Sequence, residues 1–197
     1  MPAPDRQQLS RARAVIFDLD GTLVDSQLDF RVIRQQLRCP DGVGVLEYVD
    51  TLAGDAREQA LAAVLAFERR GAEAATWMPG AREYLDWLQS RGLPLAILTR
   101  NAREVARLTM AGLGMAMPML LAREDCAPKP APDGLLKIAR HWQLPVHECV
   151  YIGDFIYDLQ AARNAGMIAC YFDPDRTGEF ADHADWHIHH FNELTHD

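Results

Sequence analysis

An apolar run that ends in two carboxylates constrains the fold of this chain more than any other feature. Residues 15–17 are apolar, Asp18 and Asp20 come next with one leucine between them, and Gly21 and Thr22 follow directly. Such a run is typical of a strand buried in a parallel sheet, and the glycine predicts a loop at its carboxyl end. Because residues i and i+2 of a strand lie on the same side, the two carboxylates are predicted to lie close together. Their repulsion favours a bound divalent cation such as Mg²⁺, or a proton held by one of them, and either state serves catalysis.

From residue 79 onward, predicted strands and helices alternate along the chain. The predicted strands are 95–99, 117–121, 149–153, 167–172 and 186–188, and the predicted helices are 81–90, 102–111, 134–142 and 157–165. Strands that alternate with helices form a parallel sheet covered on both faces. We therefore predict an α/β fold with a Rossmann-like doubly wound parallel sheet, and a core domain of residues 1–25 and 79–197.

Between these two parts of the core, the apolar residues recur at helical spacing. Helices are predicted at 27–38 and from a capping box at 55–58 to about residue 70. Residues 26–78 are therefore predicted to form a small all-helical cap, inserted after the first strand. The segments 22–27 and 76–80, at the two ends of this insert, are the predicted hinges of a closing motion.

The composition is that of a globular protein and argues against several classes of function. Of 197 residues, 49% are hydrophobic and 24% are charged, and the formal net charge is −8. An acidic chain argues against a nucleic-acid partner, because binding phosphates needs a basic face. No apolar run reaches membrane length, so no membrane partner is expected. The four cysteines lack C-x-x-C spacing and are predicted to be buried or reduced thiols of a cytoplasmic protein.

Polar side chains follow the predicted strands at the points where those strands end. The segment 99–101 follows the second strand, and Asp154 and Asp158 follow a later one. Lys129, one of only two lysines in the chain, lies in a loop between them. Ligands of open parallel sheets bind beyond the carboxyl ends of the strands, so these residues are predicted to share one site. Taken singly, each has a structural explanation, such as a helix cap, an acidic turn or a solvated charge.

Taken together and in order, these residues resemble the four motifs of the haloacid dehalogenase superfamily of phosphohydrolases. The motifs are D-x-D-G-T at 18–22, a Thr after the second strand at Thr99, Lys129 within K-P-x-P, and G-D-x-x-x-D at 153–158. The resemblance covers nearly the whole chain. The helical insert after the first motif is similar to the cap of the phosphoglycolate phosphatase and β-phosphoglucomutase branch.

The resemblance implies a role for each acidic residue. Asp18 is expected to be the nucleophile that forms an aspartyl-phosphate, and Asp20 the acid and base that serves the leaving alcohol and then water. Mg²⁺ is expected to be held by Asp18, the backbone carbonyl of Asp20, and Asp154. Asp158 is expected to orient Lys129 or a metal-bound water.

The remaining residues of the predicted site are expected to bind the phosphoryl group or the substrate. Thr99 and Lys129 are expected to bind the oxygens of the transferring group. The expected substrate-binding set is Gly21, Thr22, Arg100 and Asn101, of which Thr22 is also expected to hold Asp20 in place.

Two residues depart from the family pattern, and one cluster lies outside it. Arg100 stands where the family usually has Asn or Ser, and Phe155 stands where a small residue is commoner, which predicts a narrower site. The histidines near the C-terminus, His183, His187, His189, His190 and His196, have no diagnostic spacing and are predicted to be surface residues rather than a second metal site.

The predicted function is that of a Mg²⁺-dependent phosphatase that acts on a small phosphorylated metabolite. The sequence leaves two alternatives open, a β-phosphoglucomutase-like phosphosugar mutase and a non-enzymatic phospho-aspartate switch or binding module. A dehalogenase does not need Asp20, and a phosphonoacetaldehyde hydrolase needs a cap lysine, which this chain lacks. The sequence leaves the substrate open, and also the choice between monomer and homodimer.

Overall fold

The structure, a computed structural model, describes residues 12–195 and contains a six-stranded parallel sheet. Its strands are β1 (Ala14–Phe17), β4 (Leu95–Leu98), β5 (Leu120–Leu121), β6 (Cys149–Gly153), β7 (Ile168–Phe172) and β8 (Trp186–Ile188). They lie in the order β5-β4-β1-β6-β7-β8, and every neighbouring pair is parallel. The predicted fold class, an α/β doubly wound parallel sheet, is confirmed. Because β1 lies between β4 and β6, the residues that follow these three strands meet at one edge.

Helices cover both faces of the sheet, as the alternation predicted. The core helices are α4 (Ala81–Ser90), α5 (Arg103–Gly112), α6 (Asp133–Trp142) and α7 (Ile156–Ala165). Side chains of β1 point alternately to the two faces of the sheet. Val15 and Phe17 pack in the cluster that contains α4, whereas Ile16 packs with α6 and α7 on the other face. Strands buried on both faces consist mostly of apolar residues, which is why short apolar runs predicted them, although the predicted strand 117–121 is reduced to β5.

The inserted cap contains three helices and is joined to the core by a two-stranded antiparallel ribbon. Its helices are α1 (Phe30–Leu37), α2 (Val45–Thr51) and α3 (Gly54–Ala74), and the ribbon pairs β2 (Val24–Asp25) with β3 (Thr76–Trp77). Since β3 falls within residues 26–78, the prediction of an all-helical segment is wrong at its C-terminal end. The division into core and cap domains stays a prediction, and residues 1–11 and 196–197 of the predicted core lie outside the described residues.

Two local predictions for the cap are wrong. Helix α3 begins at Gly54 with Ala53 as its N-cap residue and no side-chain cap, so the predicted capping box at 55–58 does not form. Helix α1 begins at Phe30, and Asp29, whose side chain accepts from the backbone N–H of Arg31, is its N-cap. The capping hydrogen bond therefore formed at Asp29, two residues inside the predicted start of that helix.

The cap rests on the core along the C-terminal half of α3. Ala72 of α3 packs with Ala102 and Val105 at the start of α5. Beside this contact, the buried carboxylate of Glu68 accepts hydrogen bonds from Arg123, at 3.0 and 2.9 Å. Burial of Glu68 raises its pKa, although the charge of Arg123 opposes that shift. One side of the cap is thus held on the core by both apolar and ionic contacts.

The end of the sheet beyond β7 contains a buried histidine. His187 lies in β8, only 8% exposed, with its ring stacked on Tyr171 and its Nε2 atom 3.0 Å from Asp173 Oδ2. The prediction that these histidines are surface residues is therefore wrong for His187, while His196 lies outside the described residues. Burial opposes ionisation of Asp173, but hydrogen bonds from Gly178, Thr177 and His187 lower its pKa.

Two further predictions concern the chain as a whole. The four cysteines are free, and Cys149 and Cys170 are buried, as predicted from their apolar surroundings. Within residues 12–195, every helix is too short or too polar to cross a membrane.

Candidate active site

The carboxyl ends of β1, β4 and β6 bring the predicted site residues together. Asp18 follows β1, Thr99 follows β4, and Asp154 follows β6. All three line a single cavity of about 480 Å³ between the sheet edge and the cap. The predicted convergence of these residues is therefore present in the structure.

Lys129 occupies the centre of a buried polar network. Its Nζ donates to Asp18 Oδ1 at 2.7 Å and to Tyr151 Oη at 3.0 Å, and it forms a very short contact with Asp158 Oδ1. Lys129 and Asp158 are 5% and 2% exposed. Burial alone would discharge the lysine, but the two carboxylates outweigh it and raise the pKa of Lys129, so its ammonium stays charged.

Asp158 is fully engaged by groups of the protein. Besides Lys129, its Oδ1 lies 3.0 Å from Tyr151 Oη, and its Oδ2 accepts from the backbone N–H of Phe155 at 3.1 Å. Of the two roles expected for Asp158, this arrangement matches the orientation of Lys129. The sequence reasoning missed Tyr151, whose only signal was a hydroxyl in an otherwise apolar strand.

Asp154 is held by the loop that follows β1. Thr22, which is fully buried, donates its hydroxyl to Asp154 Oδ1 at 2.8 Å. The hydroxyl of Thr22 therefore holds Asp154 and not Asp20 as expected, while its contact with substrate stays a prediction. Gly21 has φ +81°, and a Cβ there would lie 2.3 Å from Asp154 Oδ2, so a side chain at this position would strain the backbone and force the Asp154 carboxylate to move. Gly21 thus makes room for Asp154 rather than lining the cavity.

The acidic residues at this edge fit a divalent cation. Oxygen atoms of Asp18, Asp154 and Asp158 lie within 4.8 Å of one another. Burial and the neighbouring carboxylates raise the pKa of Asp18, and burial and Asp158 raise that of Asp154 to about 7. Lys129 compensates only part of this charge. Because Asp158 is occupied, Asp18 and Asp154 are the side chains that would hold Mg²⁺, which prefers such hard oxygen donors.

The hydrogen-bond partners of Asp20 are neutral, and Lys129 acts on Asp20 only through its charge. The side-chain amide of Asn101 donates to Asp20 Oδ2 in a short contact, and Ser26 supplies a second hydrogen bond. Burial raises the pKa of Asp20 despite these bonds, which suits a carboxyl group that carries a proton. Asn101, expected to bind substrate, lines the cavity but is committed to Asp20.

The two residues after β4 that precede Asn101 differ in their surroundings. Thr99 is buried at the cavity wall, and its Oγ1 accepts from the backbone N–H of Asn101 at 3.2 Å. Arg100 forms a short ion pair with Glu47 of the cap, and its guanidinium lies 5.2 Å from the ring centre of Tyr157. Sequence reasoning could not find Glu47, because 53 residues separate the partners.

The cap supplies the opposite wall of the cavity, and that wall is largely apolar. The cap residues with apolar side chains on this wall are Phe30, Ile33, Val45, Leu46, Val64 and Phe67. Phe155 lines the cavity from the core side and is 48% exposed at its mouth. The cavity is therefore polar at the sheet edge and apolar beneath the cap.

Comparison with known proteins identifies the family. A sequence profile described as haloacid dehalogenase-like hydrolase matches residues 12–166. A haloacid dehalogenase-like hydrolase domain-containing protein of Arabidopsis thaliana is 27% identical over 183 residues, 87% of this chain and 74% of that protein. A phosphoglycolate phosphatase of Xylella fastidiosa is 28% identical over 189 residues, 85% of this chain and 82% of that protein.

The fold is shared with a protein of known structure. The crystal structure of a hydrolase from Pseudomonas syringae superposes with a TM-score of 0.77 at 24% identity, over 92% of this chain and 95% of that one. The chain therefore belongs to the haloacid dehalogenase-like hydrolases, and it is an enzyme of that family. The resemblance inferred from the four motifs, including the phosphoglycolate phosphatase-like branch, is confirmed.

Proposed function

We propose that this enzyme is a Mg²⁺-dependent phosphatase that hydrolyses a small phosphorylated metabolite through an aspartyl-phosphate on Asp18. The observation that carries this proposal is the contact of Asp18 with Lys129 at the sheet edge of the cavity, where the two side chains lie 2.7 Å apart. A carboxylate nucleophile beside a fixed ammonium can receive a phosphoryl group whose negative charge the ammonium stabilises.

In the first step, an oxygen of Asp18 attacks phosphorus and the bond from phosphorus to the leaving oxygen breaks. Asp20 gives its proton to that oxygen, so the product leaves as a neutral alcohol. Asn101 and Ser26 hold the Asp20 carboxyl in place during this transfer. Lys129 and Thr99 hold the oxygens of the transferring group.

In the second step, Asp20 takes a proton from a water molecule that attacks the aspartyl-phosphate. The bond from phosphorus to the Asp18 oxygen breaks, which releases inorganic phosphate and restores both carboxyl groups. Asp158 and Tyr151 keep Lys129 directed at the phosphoryl group throughout, because both contact its Nζ.

Asp18, Asp154 and the backbone carbonyl of Asp20 would hold the Mg²⁺. When bound, the ion shields the negative charges of nucleophile and phosphate from one another. The excess of buried carboxylate at this edge supports the cofactor. The relatives named phosphoglycolate phosphatase support phosphomonoester hydrolysis as the reaction class, and the free thiols support a cytoplasmic setting.

The test is release of inorganic phosphate from a panel of phosphomonoesters, with Mg²⁺ or with a chelator. We expect Mg²⁺-dependent release by the wild type and a loss of at least about 10³-fold in Asp18→Asn, which removes the charge and keeps the shape. Circular dichroism and the melting temperature check that the variant is folded.

Asp154→Asn is the companion variant for the cofactor. We expect it to shift the Mg²⁺ titration to higher concentration, because one carboxylate ligand becomes a neutral amide. If the folded wild-type protein released phosphate from none of the phosphomonoesters, the phosphatase proposal would be overturned. Isomerisation of a phosphosugar without phosphate release would instead establish the mutase alternative.

A further inference from the structure

We propose that the organic group of the substrate is largely apolar and uncharged, and that Phe30 of the cap is a specificity-determining residue that contacts it. This inference rests on the proposed phosphatase function, because it assumes that the phosphoryl group lies at Asp18 and Lys129. The remaining space in the cavity of about 480 Å³ then belongs to the organic group. A volume of this order accommodates a small molecule.

The wall that would face the organic group consists mainly of hydrocarbon. The buried part of the cap wall is formed by Phe67, Ile33 and Val64. These residues belong to the buried cluster that holds the cap helices together. Phe30 lies above them, with its ring 5.6 Å from that of Phe67. When an apolar group binds here, its own hydrocarbon surface and that of the cap wall are both removed from water. A hydroxylated or charged group would instead lose its hydration.

The cations on this wall are already engaged by the protein. The guanidinium of Arg34 donates to the backbone carbonyls of Val43 and Pro40. That of Arg100 is paired with Glu47. A carboxylate on the substrate would therefore meet two guanidinium groups that already donate to the protein, of which that of Arg100 is also neutralised by a carboxylate. Among residues 12–195, Arg100 Nε is buried without a hydrogen-bond partner, which makes a substrate carboxylate at Arg100 the competing possibility that the test must address.

Two aromatic side chains stand exposed at the mouth of the same cavity. Phe30 is 55% exposed and Phe155 is 48% exposed, although both line the cavity. Phe155 is supported from behind by edge contacts with Tyr157 and Phe180, with ring centres 5.3 and 5.4 Å apart. Exposed rings that line the same cavity gain contact area when an apolar group packs against them.

The experiment compares phosphate esters that differ only far from the reacting oxygen. We would measure kcat/KM for methyl, propyl and pentyl phosphate, and for the ester of 5-hydroxypentanoate, which carries a carboxylate at the far end of a five-carbon chain. We expect kcat/KM to rise about fourfold for each added methylene, because each buried methylene contributes a similar free energy to binding of the transition state. The carboxylate ester is expected to be at least about tenfold poorer than pentyl phosphate.

Phe30→Ala tests the proposed contact. In this variant, kcat/KM is expected to increase less with chain length, and to be about fivefold lower for pentyl phosphate. The reason is that the longer chains lose their contact with the Phe30 ring. Val32→Ala is the matched control, since Val32 is 51% exposed on the same helix and does not line the cavity. It is expected to leave the chain-length series unchanged.

The outcomes separate this inference from the proposed function. A flat chain-length series, or a preference for the carboxylate ester, would overturn the apolar substrate class while leaving phosphatase activity established. A rise with chain length that Phe30→Ala and Val32→Ala alter equally would overturn the role of Phe30. Absence of phosphate release from every ester, with the protein folded, would overturn the phosphatase function itself.

Discussion

The two walls of the cavity differ in chemistry and in how they are built. At the sheet edge, charged side chains are buried and satisfy one another, as Lys129 does with Asp18 and Asp158. On the cap side, Phe30, Ile33 and Phe67 present hydrocarbon. Under the proposed function, the first wall would act on the phosphoryl group of any substrate, whereas the second would select by the shape and polarity of the organic group. The proposal thus assigns reaction and selection to different parts of the chain.

The two walls also differ in how they are stabilised. The sheet edge depends on ion pairs from which water is excluded, where loss of one partner leaves an uncompensated charge. The cap depends on its own small apolar cluster and on contacts with α5. Substitutions in the two regions should therefore have effects of different size, and the following experiments measure that difference.

The largest effect is expected at Lys129. Lys129→Met leaves the carboxylates of Asp18 and Asp158 buried without a cation, which should lower the free energy of unfolding by about 3–5 kcal/mol and abolish phosphate release. Lys137→Met is the matched control, because Lys137 is exposed and makes only a long contact with a backbone carbonyl at 3.4 Å. Thermal or urea unfolding measures the stability of both variants. Equal stability of the two variants would contradict the importance of the buried network.

A smaller effect is expected where the cap meets the core. Glu68→Gln removes the charge that faces Arg123, and should lower the free energy of unfolding by about 2–3 kcal/mol, because Glu68 is buried. The exposed pair Arg69–Glu104 joins the same helix to the core, with side chains 53% and 50% exposed. Glu104→Gln should therefore cost less than about 1 kcal/mol.

Hydrogen exchange gives these cap variants a second readout. If Glu68 anchors the cap, its substitution should accelerate amide exchange in α3 more than in β1 or β6. Uniform acceleration throughout the chain would show that the cap and core unfold as one unit, and would remove the distinction between the two regions.

The smallest effect is expected at Asp173, a core carboxylate outside the cavity. Its pKa is lowered from the usual 3.8, so its contribution to stability is present above that pH and is lost as the pH falls through the folded-state pKa. Asp173→Asn should cost about 1–2 kcal/mol at pH 7, and the difference from wild type should shrink below about pH 4. Asp182→Asn, at an exposed position, should show no such dependence. A pH-independent difference would assign the effect of Asp173 to packing.

Sequence patterns predicted the sheet edge far better than the cap. The strands that end at Asp18, Thr99 and Asp154 are short apolar runs followed by polar residues, and that signal is local. Helix α2 and the two-residue strands β2 and β3 were missed, because such short elements complete too little of a period to be recognised. The predicted hinge motion at 22–27 and 76–80 stays a prediction.

Long-range partners were the other limit of sequence reasoning. Glu47 faces Arg100, and Thr22 donates to Asp154 rather than to Asp20, although Thr22 and Asp20 are near neighbours in the chain. A motif records which residue types recur together, but the hydrogen bonds depend on where distant loops meet. His187 was likewise predicted to be exposed, since a polar residue in a short strand does not reveal that Tyr171 and Asp173 cover it.

The ribbon of β2 and β3 has a consequence for how such an enzyme can change. Val24 pairs with Trp77 and Asp25 with Thr76, so the insert leaves the core and returns to it at hydrogen-bonded neighbours. Loop-closure entropy varies only slowly with length, so lengthening or shortening a segment anchored in this way adds little to the entropic cost of closing it. The contacts of the insert with α5 and Arg123 still have to be kept or replaced. We therefore expect the strands of the core to keep their register when the part of the insert distant from these contacts changes in length.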